Sequence, residues 1–170
     1  MSKTHFILGG ARSGKSLRGL NIAEQIGPSR VFIATAEAFD DEMAERIKRH
    51  KAERGHGWTT LEAPLDIVEA IEHASKQADV CLIDCLTLWL SNLMHHDRDV
   101  ETETTRLCET VSAMSHPTIL VSNEVGLGLV PDTPLGRAFR DAQGRLNQAV
   151  AAVCDRVEFV AAGLPIMLKG

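Results

Sequence analysis

Tyrosine is absent from this chain, and only five phenylalanines and two tryptophans stand in its 170 residues. Any large flat ligand must therefore be held with few aromatic platforms. There is no run of basic residues. Eighteen Lys and Arg against twenty-three Asp and Glu leave a net charge of −5, which argues against nucleic acid as the main partner. No apolar stretch approaches the ~20 residues that span a bilayer, and no charged-then-apolar leader opens the chain, so a cytoplasmic address is expected. The four cysteines, Cys81, Cys85, Cys108 and Cys154, form no C-x-x-C pair and no zinc spacing. They are expected to be small thiols, with Cys81 and Cys154 buried among apolar neighbours.

A hydrophobic content of 44% over 170 residues suits one domain with a proper core. Its apolar runs are short and continuous, as in strands buried on both faces. They are Thr4–Leu8, Arg30–Ala34, Val80–Asp84, Thr118–Ser122 and Val157–Ala161, with Trp58–Glu62 a weaker case. Helical patterns fall between them: Leu17–Ile26, a helix from an N-cap at Asp40 to about Arg54, Leu65–Lys76, Leu86–His95, Val100–Met114, and a long helix opened by Thr133-Pro134. In the last helix Leu135, Phe139, Ala142, Leu146, Ala149 and Val153 make a stripe expected to pack on the core. His95–Thr105 is the expected exposed connection. Alternating strands and helices predict an α/β fold, with a mostly parallel central sheet and helices on both faces.

Within that frame, Gly9-Gly10-Ala11-Arg12-Ser13-Gly14-Lys15-Ser16 fits G-x-x-x-x-G-K-[ST], the phosphate-binding P-loop. The context is right, since a buried strand precedes it and a helix follows. Backbone N–H groups and the positive helix end would face the phosphates. Lys15 would reach the β/γ-phosphates, and the Ser16 hydroxyl would sit on Mg²⁺.

The apolar strand ending in Asp84 has the form of a second metal-binding acid, although many strands end in Asp. Asn123 and Glu124 emerge at the end of another strand. Glu124 is open to use as a base, a metal ligand or a substrate contact, or to being a solvated loop acid. His50 shares a helix face with Met43, Ile47 and Arg54 among several cations. Cationic neighbours would keep its imidazole neutral and able to attack phosphorus. Equally, a histidine near a helix C-terminus is favoured by the dipole alone. No N-K-x-D guanine-reading motif is present, which lowers the case for a GTP-dependent regulatory protein. A simple small-molecule kinase is the other alternative.

In combination these segments resemble the bifunctional adenosylcobinamide kinase / adenosylcobinamide-phosphate guanylyltransferases of cobalamin biosynthesis. The resemblance rests on Gly9–Ser16; Ile33-Ala34-Thr35-Ala36; Asp40–Met43 with Arg46-Ile47 and His50-Lys51; Trp58–Pro64; and the strand ending at Asp84. It continues through Ser122-Asn123-Glu124-Val125-Gly126-Leu127-Gly128-Leu129-Val130-Pro131, Phe139-Arg140-Asp141 and Gly144–Gln148. It implies a RecA-like P-loop NTPase fold, a homotrimer, a small-molecule corrinoid substrate, and ATP and GTP as nucleotide substrates. It also implies two reactions: phosphorylation of adenosylcobinamide, then transfer of GMP from GTP through a histidine. By the same resemblance His50 is that histidine. Ala34, Thr35, Ala36, Lys51, Ala52, Glu53, Arg54, Glu62 and Asp84 fall at nucleotide-contact positions. Arg49 stands where some relatives have a second histidine, so no reserve nucleophile is implied.

Overall fold

A computed structural model of the chain describes residues 3–38 and 41–170; the side chains of Arg46, Arg49, His50 and Glu53 lie outside that description. The strands are β1 (Thr4–Gly9), β2 (Arg30–Ala34), β3 (Trp58–Glu62), β4 (Val80–Asp84), β5 (Thr118–Asn123), β6 (Arg156–Ala161) and β7 (Leu164–Lys169). The helices are α1 (Lys15–Ile26), α2 (Asp41–Glu53), α3 (Ile67–Ala74), α4 (Leu86–His95), α5 (Val100–Ala113) and α6 (Pro134–Val153). The strands form one sheet in the order β3-β2-β4-β5-β1-β6-β7. Every pairing is parallel except β6 with β7.

Two apolar layers hold this sheet. On one face Phe6, Ile33, Ile83 and Leu120 pack against Ile67 and Ile71 of α3, Leu86, Trp89 and Leu90 of α4, Leu107 of α5 and Leu146 and Val150 of α6. On the other, Ile7, Phe32, Leu82, Ile119, Val121 and Val160 meet Ala23 and Leu20 of α1. Burial on both faces explains why the inner strands read as unbroken apolar runs. Trp89 is fully buried, and its indole N–H donates to the Leu65 carbonyl at 2.7 Å. Among the described residues no helix is long and apolar enough to cross a membrane.

Several expectations need correction. Residues 100–105 are not an exposed connection: α5 begins at Val100, capped by Asp99, which accepts from the Thr102 N–H at 2.9 Å. Glu103 in its first turn is buried and paired with Arg98 and Arg106 at 2.6 and 3.0 Å. The charges that look solvated in sequence are thus mutually neutralised. Leu135 is 70% exposed, because burial on α6 begins only at Ala142; Val150 rather than Ala149 completes the buried stripe. The strand β7 has no counterpart in the sequence reading. It is exposed along its length and contains Pro165, which an edge strand tolerates. Asp40, the expected cap of α2, lies outside the described residues. The cysteine expectation is met. All four are free thiols, and burial pushes Cys81 and Cys85 up to about 11 and Cys154 up to about 12.

The helix α1 is tied to the sheet by charge as well as by packing. Glu158 on β6 is 1% exposed and accepts two hydrogen bonds from Arg18, both at 2.8 Å. His5 Nε2 lies 3.4 Å from the same carboxylate, and Arg156 at 3.9 Å. Arg18 holds the Glu158 carboxyl below its ordinary value; burial holds His5 below 6.5, Glu158 opposing and Arg156 and Arg18 assisting. Glu158→Ala should therefore lower stability by about 3 kcal/mol, the low end for a broken buried pair because Arg18 is partly exposed. That is a fall of about 6–12 °C in melting temperature for a chain of this size. The pH dependence follows from His5. Its folded pKa is depressed, so the unfolded chain binds the proton more readily. The contribution is complete above the ordinary value of 6.5 and is lost as pH falls through the lower folded value. Melting temperature should drop between pH 7 and pH 5, and His5→Phe should flatten that slope.

Candidate functional site

The parallel register brings most of the expected residues to one edge of the sheet. Glu62 pairs with Ala34, and Ala34 with Asp84, at the C-terminal ends of β3, β2 and β4. Asn123 pairs with Gly9 at the ends of β5 and β1, and the Glu124 N–H donates to the Gly9 carbonyl at 3.0 Å. Side-chain alternation puts Asp84 on the same face as Leu82, and Asn123 on that of Val121, which is the face covered by α1. This is the place where open α/β sheets bind ligands.

The P-loop turns from β1 into α1 at this edge. Gly14 is the N-cap, with φ +96°, and no side chain caps the helix or places an acid in its first turn. The helix end is thus left for an outside anion. A Cβ on Gly14 would sit 3.1 Å from the Gly163 Cα, and one on Gly9 would meet Ser13 Oγ and lie 2.7 Å from the Val160 carbonyl. Close packing explains this intolerance: the β6–β7 turn, Ala162-Gly163, rests on the loop, and the Gly163 N–H donates to the Ser13 carbonyl at 2.7 Å. The sequence carried no sign of that contact, since Ala-Gly is a weak hairpin signal.

Lys15 is buried and its Nζ donates to the Gly10 carbonyl at 3.0 Å. Burial lowers its pKa, while Asp84 opposes that effect. Ser13 Oγ is buried without a hydrogen-bond partner inside the loop. An orphaned hydroxyl inside an anion cradle is explained by a missing acceptor. Ala11, Arg12 and Ser16 are exposed, and Arg12 holds φ +56°, a conformation unusual outside glycine. Ser16 and Asp84 offer oxygen donors on the same edge. No group of three or more His, Cys, Asp or Glu that could hold a metal exists among the described residues. Oxygen donors of this kind suit a hard cation that keeps most of its coordination to phosphates and water.

The remaining expected residues divide. Arg54 stacks over the Phe32 ring at 3.7 Å and donates to Thr60 Oγ1 at 3.0 Å. Burial lowers its pKa, and Asp84 opposes. Lys51, Ala52 and Glu62 are exposed. Thr35 is fully buried. Its hydroxyl donates to the Cys85 carbonyl at 2.8 Å and accepts from the Cys85 N–H at 2.9 Å, and its own carbonyl accepts from Asn92 at 2.7 Å. That hydroxyl is committed to tying the end of β2 to the residue after β4, so any polar ligand contact from Ala34–Ala36 would come from backbone. Glu124 is half-buried and accepts from the Gly126 N–H, closing the turn after β5. His50 lies within α2 and Glu53 at its end, their side chains outside the described residues.

Comparison with known proteins establishes the family. The profile of the cobinamide kinase / cobinamide phosphate guanyltransferase family matches residues 5–168. The chain belongs to that family. It is therefore an enzyme combining the kinase and guanylyltransferase activities that the family name describes. It is 45% identical over 166 residues, covering 96% of each chain, to the bifunctional adenosylcobalamin biosynthesis protein CobP of Pseudomonas aeruginosa. It is 34% identical over 180 residues, covering 96% of this chain and 98% of the relative, to CobU of Escherichia coli K12, which carries the same bifunctional description. Among solved structures, the ATPase EscN of the enteropathogenic E. coli type III secretion system superposes with a TM-score of 0.58 at 10% identity. That match covers 95% of this chain and 43% of EscN, and establishes a shared P-loop ATPase fold only.

Gly14→Ala tests the loop's packing. The added methyl at positive φ should cost about 1–2 kcal/mol and shift the loop, so that melting temperature and nucleotide affinity fall together. Unchanged values for both would mean that the β6–β7 turn does not shape the loop.

Proposed function

We propose that this enzyme phosphorylates adenosylcobinamide with ATP or GTP and then transfers GMP from GTP to the phosphate, giving adenosylcobinamide-GDP and pyrophosphate. The observation that carries this reading is the convergence of the P-loop, Asp84 and Asn123 on one sheet edge in a chain of this family. In the first reaction the P-loop amides and Lys15 hold the triphosphate, and Ser16 and Asp84 hold Mg²⁺. Bound there, the cation neutralises phosphate charge. The substrate hydroxyl attacks the γ-phosphorus, the bond to the β,γ-bridging oxygen breaks, and the nucleoside diphosphate leaves. In this reading Glu124, just past the end of β5, takes the hydroxyl proton. Little covalent chemistry is asked of the protein beyond positioning and charge stabilisation.

The second reaction occurs at the α-phosphorus. His50 attacks it, a P–N bond forms, and the bond to the α,β-bridging oxygen breaks with release of pyrophosphate. An oxygen of the adenosylcobinamide phosphate then attacks the same phosphorus and frees the histidine. Splitting the transfer into two displacements is the usual gain from a side-chain nucleophile. Lys51, Ala52, Glu53, Arg54 and Glu62 frame the nucleotide from α2 and β3. The charge interaction between Arg54 and Asp84 supports this assignment.

The working form is a single-domain protomer in a cytoplasmic homotrimer. Leu164, Ile166 and Leu168, all more than half exposed on the edge strand β7, support association through that strand or its faces.

Incubation with GTP labelled at the α-phosphate, followed by denaturation, tests the covalent step. Wild type should retain an acid-labile, base-stable label. His50→Ala should lose the label and guanylyl transfer but keep kinase turnover. Label on the variant would remove His50 from the mechanism, and its absence from both, in active protein, would favour a simple kinase.

A further inference from the structure

Behind the end of β5, between the sheet, α4 and α6, lies a sealed group of polar side chains. Ser122 and Gln143 are fully buried, and Asn147 and Thr87 nearly so. Ser122 Oγ donates to Asn147 Oδ1 at 2.8 Å, and Gln143 Nε2 donates to Ser122 Oγ at 3.0 Å and to Asn147 Oδ1 at 2.9 Å. Gln143 Oε1 has no partner. Burying this many polar atoms, one of them unsatisfied, costs more than filling the space with apolar side chains. The group is therefore explained by what it holds.

It holds one residue. Asn147 Nδ2 donates to the Asn123 carbonyl at 3.1 Å, and Thr87 Oγ1 accepts from the Asn123 N–H at 2.8 Å. Both backbone groups of Asn123 are thus fixed by side chains from α6 and α4. Ser122 faces those helices, so the alternation of the strand turns Asn123 to the opposite face, that of Val121 and α1. Its neighbours along the edge are Gly9 of the P-loop on one side and the strand of Asp84 on the other. On the P-loop reading, this interval is where a terminal phosphoryl held by Lys15 would be expected.

We propose that the Asn123 carboxamide donates a hydrogen bond to the transferred phosphoryl group in the kinase step, and that Thr87, Ser122, Gln143 and Asn147 are positioning residues for it. The inference rests on the P-loop reading given under Proposed function. A donor fixed before reaction is worth more than a loose one, because charge spreads onto the phosphoryl oxygens without further reorganisation of the site.

Calorimetric titration with ADP and with the non-hydrolysable triphosphate adenylyl imidodiphosphate tests the contact. Asn123→Ala should reduce the preference for triphosphate over diphosphate by about tenfold, and kinase kcat by roughly a hundredfold, the usual loss for one preorganised donor. Thr87→Val should reproduce part of the kcat loss at unchanged KM for nucleotide, Thr87→Ser should restore it, and the loss should vanish in the Asn123→Ala background. Triphosphate preference and kcat within twofold of wild type in Asn123→Ala overturn the inference. If Lys15→Ala, run alongside, loses turnover in that case, the P-loop reading survives; if Lys15→Ala also keeps turnover, that reading fails as well. A Thr87→Val variant that melts earlier but keeps its kcat, or an effect additive with Asn123→Ala, overturns the positioning role.

Discussion

The chain's backbone must turn from β1 into α1 with no side chain intruding, and most of the site follows from that constraint. Gly14 turns at positive φ against Gly163, and Gly9 leaves no room for a methyl beside Val160. The turn delivers an uncapped helix end and a buried lysine to the same edge. An uncapped helix end is a standing deficit of hydrogen-bond acceptors, and an anion is what removes it. The Arg18–Glu158 pair then fixes the angle of α1 less than one turn further on, since Arg18 is only three residues from Lys15. Packing, backbone strain and a buried charge pair thus converge on the placement of one helix terminus.

The inner strands and the P-loop are legible in the sequence for a plain reason: both are local. Cys81-Leu82-Ile83 and Ile119-Leu120-Val121 must be strands buried on both faces, and Gly9–Ser16 encodes its own turn. What escapes the sequence is made by contacts between distant segments. β7 has neither alternation nor a strong turn signal, and its register depends on β6. Glu103 looks solvated until Arg98 and Arg106 are seen to close on it. Thr35 falls at a ligand position by resemblance, yet its hydroxyl is spent on Cys85, fifty residues away. The polar group around Ser122 joins three elements, and no spacing rule reveals that Gln143 and Asn147, one helical turn apart, converge on a strand residue.

Kinase and guanylyl transfer place different demands on the fold, because one breaks a nucleoside triphosphate at its γ-phosphorus and the other at its α-phosphorus. The edge that carries the P-loop is built on β4, β5 and β1, which are buried on both faces and laced by polar ties to α4 and α6. In the proposed reading the α-phosphorus is addressed from another element, because it lies several ångströms along the triphosphate from the γ-phosphorus. In the helix that carries His50, the large apolar side chains Met43 and Ile47 are half-buried. Met43 and Ile47 are its only large apolar residues, so the hydrophobic contribution available to seat it is small beside that of α4 or α6. Just past its end, Arg54 makes one hydrogen bond to Thr60 and stacks on Phe32. Arg54 also feels Asp84, and Asp84 feels Lys15. In the proposed reading, this helix is coupled to the phosphate-binding edge through the charges of Arg54, Asp84 and Lys15.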